Sequence, residues 1–196
     1  AVCDQALQVF RNLGAVVTEA TVPASVEEAW QAWVDLRAWN NATSLGHYYD
    51  NPQQRALLKP EAQWEVERGR RLSGEDVARA LAARTTWYRA FAGLFDRFDY
   101  LLAPTAQLFA FDAQEHWPRA IAGTAMDTYH RWMQIVTPIT LSGCPALAIP
   151  AGFDSRGRSM GVQVIGPLRD ELGLLKLANA YDEATRLPGK TPPPLS

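Results

Sequence analysis

Two apolar runs joined by a polar turn constrain this chain more than any other feature. Cys144-Pro145-Ala146-Leu147-Ala148-Ile149-Pro150-Ala151-Gly152-Phe153 follows Ser142-Gly143, and Met160-Gly161-Val162-Gln163-Val164-Ile165 ends at Gly166-Pro167. Short runs that are apolar nearly throughout and bounded by glycine and proline read as two paired, largely buried strands. The connecting string Gly152-Phe153-Asp154-Ser155-Arg156-Gly157-Arg158-Ser159 nearly spells a phosphate-binding loop, with Arg158 where that loop needs lysine. A phosphate loop opens a helix, whereas this string feeds the next strand, so a hairpin turn is expected.

The remaining pattern is that of an α/β protein, with helices packed on a mixed β-sheet whose strands lie near 15–22, 99–103, 145–150 and 160–165. An opening helix carries Ala6, Leu7, Val9, Phe10 and Leu13 on one face and stops at Gly14. Ser25 and Glu28 form a capping box for a helix that buries Val26, Ala29, Trp30, Trp33 and Val34. From Trp39 to Leu58 the periodicity fades, with Asn40-Asn41 and Asn51-Pro52, and a surface excursion with short helical turns is expected. Ser73 opens a long helix whose stripe is Val77, Leu81, Arg84, Tyr88, Phe91 and Phe95; Arg84 in it either snorkels to water or meets a buried carboxylate. A further helix is expected from about Thr124 to Val136, and a closing one from Asp170 to Arg186. Residues 1–187 read as one domain, followed over 188–196 by a proline-rich tail that cannot join a helix or sheet interior.

With 196 residues, 47% of them hydrophobic and seven of them tryptophan, the chain can fill a sizeable core. A net charge of -2 argues against a nucleic-acid or anionic-membrane partner, and the basic cluster Arg68-Gly69-Arg70-Arg71 reads as a solvated face. Cys3 and Cys144 suggest neither a disulfide framework nor a metal site, and His47, His116 and His130 share no ligand spacing, so no metal or cofactor is expected. Without a membrane-length apolar run or a secretory signal, a cytoplasmic location is the expectation. The chain begins at Ala1 with no initiator methionine, as a processed product, a recombinant fragment or a truncated copy would.

The paired runs, together with Phe98-Asp99-Tyr100-Leu101-Leu102-Ala103-Pro104-Thr105 and Leu13-Gly14-Ala15-Val16-Val17, resemble in order the C-terminal part of the amidase-signature family. The resemblance implies hydrolysis of carbon-nitrogen amide bonds by a serine nucleophile, a second serine in a cis linkage and a lysine, all supplied by the half of the family fold that precedes the matched part. This chain has no Gly-Gly and no Ser-Ser, and its lysines, Lys59, Lys176 and Lys190, lack an apolar setting that would lower an amine pKa. No catalytic residue is therefore assigned, and the chain alone is expected to be inactive. The resemblance places the wall of a substrate cleft at Thr105, Asp127, Tyr129, Trp132, Thr137, Thr140 and Ser142. At Thr140 family members often carry asparagine, so a small polar group is kept and an amide donor is lost.

Residue chemistry alone gives these positions other roles as well. Tyr129 and Trp132 suit core aromatics at i and i+3, and Asp127 suits a helix cap. Two functions are carried forward. One is the scaffold and pocket wall of an amide hydrolase whose partner in the complete enzyme is a small-molecule amide. The other is a non-catalytic small-molecule-binding or assembly module; in either case self-association through an exposed apolar face is expected. A protein similar to the amidotransferases that act on charged transfer RNA would share the fold, but nothing here is basic enough to argue for RNA contact.

Overall fold

The computed structural model describes residues 2–190 and contains two compact units. One comprises the residues up to Thr21 and those from Ala92 onward; the other is Val22–Phe91. The first unit opens with α1 (Val2–Asn12), which buries Ala6 and Phe10. Gly14 (φ +95°) takes the left-handed conformation that ends it, and the Ala15 N–H turns back to the Phe10 carbonyl at 3.0 Å. The strand expected over residues 15–22 does not form: no ladder partner pairs with it among the described residues, and Val16 is 91% exposed. Valines and threonines favour extended backbone, but a strand exists only where a neighbour satisfies its N–H and C=O groups.

In the second unit, Ser25 accepts a hydrogen bond from the Glu28 N–H (3.2 Å) and caps α2 (Val26–Asp50), as the capping box predicts. This helix runs straight through the segment expected to be irregular. Asparagines in a helix interior give up only a few tenths of a kcal/mol each, about 0.7 at most, and tertiary packing overrides that. The true stop is Asn51 (ψ 115°), because the residue before a proline is driven out of the helical region. Asn51 then caps α3 (Pro52–Arg55) with its side chain.

The next helix, α4 (Pro60–Arg71), packs along α2 with Val66 and Ala38 fully buried. Gly69 makes this approach possible: a Cβ there would lie 2.1 Å from the Ala38 carbonyl oxygen. Buried Glu65 accepts hydrogen bonds from Arg37 Nε and Asn41 Nδ2. The basic cluster is no plain solvated face, since Arg68 pairs with Asp35 (2.6 Å) and Arg70 with Asp50 (2.7 Å). Opposite charges one helix away recruited them. In α5 (Gly74–Ala92) the buried positions are Ala80, Trp87 and Phe91, while Leu81 and Tyr88 of the expected stripe are exposed. Trp87 and Phe91 have ring centroids 6.0 Å apart and bury more apolar area than Leu81 and Tyr88 would, which turns the helix toward them. Arg84 is exposed.

Back in the first unit, β1 (Leu101–Pro104) is followed by a short hairpin, β2 (Ala120–Ile121) and β3 (Thr124–Ala125). After α6 (Thr137–Ser142) come β4 (Ala146–Phe153), β5 (Ser159–Ile165), α7 (Glu171–Thr185) and α8 (Leu187–Lys190). The sheet order is β1-β5-β4. Every pair in it is antiparallel, so the expected mixed sheet is corrected to small antiparallel sheets among helices. A tight hairpin leaves β4 and β5 no other orientation. The P-loop-like string is that hairpin's turn: the Asp154 carboxylate accepts from the Arg156 and Arg158 N–H groups and from the Arg158 guanidinium.

One face of the sheet packs Ile149, Ala151, Val162 and Val164 against Ala6 and Phe10 of α1 and Leu174 and Tyr181 of α7. Burying each large side chain of this set contributes about 1.5–3 kcal/mol. Tyr181 also donates its hydroxyl to the Pro150 carbonyl (3.1 Å), across a register shift between Pro150 and Gly152. Asp170 caps α7 through the Gly173 N–H and accepts from the Tyr100 hydroxyl at 2.9 Å. Leu187–Lys190 is a helical turn although it contains Pro188, since a first helical turn needs no N–H donor from proline. The rest of the expected proline-rich tail, 191–196, lies outside the described residues.

Candidate functional site

The candidate residues lie in the first unit, on the connections leaving β1 and entering β4. Thr105 follows β1, and both its N–H and its hydroxyl donate to the Gly161 carbonyl at 3.0 Å, closing the ladder to β5. Downstream, the helix expected over 124–136 is absent. Ala122 (φ 49°) and Gly123 (φ 82°) form a two-residue turn with both central φ values positive, the geometry that closes the β2–β3 hairpin. Beyond it, residues 128–136 advance by i to i+3 bonds, among them Met133 N–H to His130 O (2.9 Å) and Val136 N–H to Met133 O (3.1 Å).

This tighter winding still brings the aromatic side chains together. Tyr129 is the hub, with ring centroids 5.9 Å from His116, 6.5 Å from Trp117, 5.3 Å from His130 and 6.5 Å from Trp132. Phe111 meets Trp132 edge-on at 5.6 Å, and Arg119 lies 3.9 Å over the Trp117 ring. Thr128 Oγ1 and Trp132 Nε1 are buried without hydrogen-bond partners among the described residues. Asp127 stands apart from this cluster's interior: its side chain is 62% exposed and 3.6 Å from Arg131 Nε, and it caps no helix among the described residues, the following turns being entered at His130 and Val136.

The three remaining candidates sit on α6. Thr137 is buried and donates to Gln134 O (3.1 Å), whereas Thr140 is exposed and donates to Val136 O (3.3 Å). Ser142 is fully buried, donating to Ile139 O (2.6 Å) and accepting from the Cys144 N–H (3.2 Å). Gly143 (φ 68°) turns the chain into β4. Burial pushes the Cys144 thiol above its ordinary range, against the opposing hydrogen bond from Ser142, so it is a poor thiolate.

Two glutamines that sequence reading passed over hold this region together. Gln107 Nε2 donates to Arg131 O (2.8 Å) and Trp132 O (2.7 Å), and the buried Gln163 Nε2 donates to Pro104 O (2.8 Å) and Ile135 O (3.4 Å). The available signal was a lone amide inside the apolar run Val162 to Ile165.

Chemically the region offers aromatic faces and hydroxyls but no activated nucleophile. Lys59 and Lys176 are exposed, and neither is hydrogen-bonded to a serine among the described residues. No group of three or more His, Cys, Asp or Glu that could hold a metal occurs among the described residues. None of their helices is long and apolar enough to cross a membrane. Open surface depressions lined by His47 and Asp50 to Gln53 and by Phe95, Phe98, Asp99, Tyr100, Pro167 and Asp170 include none of the seven candidates.

The family model described as Amidase matches residues 1–175. The chain belongs to the amidase family. Among curated relatives of this chain, an acylamidase from Rhodococcus erythropolis is 29% identical over 203 residues, covering 98% of the chain and 40% of that protein. A glutamyl-tRNA(Gln) amidotransferase subunit from Prochlorococcus marinus (strain MIT 9211) is 35% identical over 114 residues, 58% of the chain and 22% of that protein. Among solved structures, a bacterial aryl acylamidase of the amidase-signature family superposes with a TM-score of 0.81 at 26% identity, over 94% of this chain and 39% of that one. The chain thus has the fold of a C-terminal region of amidase-signature hydrolases and spans well under half the length of these relatives.

Proposed function

We propose that this chain supplies the scaffold and one wall of the substrate pocket of an amide hydrolase, and that it does not hydrolyse amides by itself. The observation that carries the reading is the pairing of an aromatic wall centred on Tyr129 with the lack of any serine-lysine contact among the described residues. Tyr129 and Trp132 present ring faces and edges suited to a flat acyl or aryl group. Asp127 and Thr140 offer exposed polar groups at its border, and Thr105, Thr137 and Ser142 hold the backbone that carries it. The substrate is a small amide. Similarity to an aryl acylamidase supports an aromatic one.

In the complete reaction a lysine acting through the cis serine deprotonates the nucleophile, and the acyl-enzyme is hydrolysed; that machinery belongs to polypeptide beyond these residues. The test offers the purified chain 4-nitroacetanilide and a serine-directed fluorophosphonate. The expected result is no 4-nitroaniline release and no labelled serine; turnover, or stoichiometric labelling of any serine, overturns the reading. Fusing the chain behind a glycine- and serine-rich amidase segment containing the lysine should then bring turnover.

A second reading, an assembly module, is favoured by Leu172 and Leu175 on α7, which are 65% and 58% exposed, and by Leu168 in the turn before it, 44% exposed. It predicts self-association in sedimentation that Leu172→Glu abolishes, and a parent chain that stays monomeric at high concentration excludes it.

A further inference from the structure

A central strand buried on both faces has little use for an amide side chain. Gln163 nevertheless lies between Val162 and Val164 on β5 and is 6% exposed. A buried amide without partners is destabilising, and an aliphatic residue would avoid that cost while fitting the strand better. The compensation is specific: its two N–H groups serve Pro104 O, at the end of β1, and Ile135 O, at the entry to α6. Three residues beyond Pro104, Gln107 repeats the device toward Arg131 O and Trp132 O. All four acceptors are carbonyls, so in both side chains the nitrogen must face them. Residues 104–107 and 131–135 are therefore joined at both ends by side-chain amides. The second of these segments has only weak i to i+3 winding of its own.

We propose that Gln107 and Gln163 are positioning residues, a double amide clamp that fixes the backbone bearing Trp132, and next to it Tyr129, against the end of β1. The clamp sets the pose and reach of the aromatic wall toward an aryl amide. This role rests on the wall reading above. Removing the donors without removing bulk frees the segment, and the wall then spends part of its time out of register, which weakens substrate binding in proportion.

The test uses Gln163→Met and Gln107→Glu, which preserve volume and remove the donors, with Gln107→Ala as a third variant. Hydrogen-deuterium exchange reads the amides of residues 105–109 and 128–136 against those of β4 and β5, and NMR titration with 4-nitroacetanilide reads affinity. The expected result is about 5- to 10-fold faster exchange confined to the two joined segments, with a several-fold weaker probe affinity. Equal exchange in parent and variants overturns the clamp. Faster exchange with unchanged affinity overturns its positioning role. A parent chain that binds no probe sinks the wall reading and the positioning role with it. Should Gln163→Met fail to fold, the exposed Gln107 variants carry the same outcomes.

Discussion

Replacing Gly69 by alanine sets two effects of opposite sign against each other. In a helix interior the change favours the helix by about 0.8–1 kcal/mol, and most exposed helical glycines would gain from it. At this crossing the new methyl carbon would stand 2.1 Å from Ala38 O, 2.6 Å from Ala38 C and 2.7 Å from Ala42 Cβ. Two of these atoms are backbone, which cannot rotate away, so α4 must withdraw from α2 by about an ångström along a contact that includes Val66 and Arg68. Overpacking of this kind is destabilising by about 1–3 kcal/mol and occasionally more; with backbone as the obstacle the upper end applies. The net expectation is a loss of about 2 kcal/mol, roughly a 30-fold shift in the unfolding equilibrium.

Gly93, where an added Cβ meets nothing within 4 Å, is the control; its alanine variant should be neutral or slightly stabilising. Because the chain has two compact units, the assay is hydrogen exchange resolved over residues 26–71 alongside urea denaturation. Gly69→Ala with α2 and α4 exchanging as slowly as in the parent would refute the reasoning.

Two further outcomes are expected. Glu65→Ala should destabilise the same unit by about 1–2 kcal/mol in urea unfolding, less than for a fully enclosed pair, because the Arg37 left behind is 47% exposed and regains water. Burial first, and then the hydrogen bond to Asp170, hold the Tyr100 phenol above its ordinary value. Its contribution to stability is complete while the unfolded phenol keeps its proton and is lost as pH climbs past about 10. A stability profile from pH 7 to 11 should fall less steeply in Tyr100→Phe, and identical slopes would remove this group from the account.

Features whose partners lie nearby in the chain were legible in the sequence. The β4–β5 hairpin announces both strands and its turn within about two dozen residues, and Ser25 with Glu28 caps α2 as read. Features decided by distant or subtle partners were not. Residues 15–22 have strand composition but no ladder partner among the described residues, and Asn40-Asn41 looks like a loop although Asn41 is held by Glu65 from α4. The apolar spacing of Met126, Tyr129, Trp132, Met133 and Val136 mimics a helix, yet the positive φ pair at Ala122 and Gly123 and the i to i+3 winding produce a different backbone. Of the candidate site, the aromatic residues were visible and the glutamines joining their backbone to the sheet were not. An amide in an apolar run does not reveal which carbonyls lie opposite it.

The register shift beside Pro150 also governs how the molecule treats its neighbours. In the order β1-β5-β4, the outer rim of β4 carries a proline that cannot donate and a dislocation that skews the remaining groups out of line. The opposite rim is four residues long and also ends in proline. Neither margin is a good template for an incoming extended chain, so fibril-like stacking is disfavoured at both.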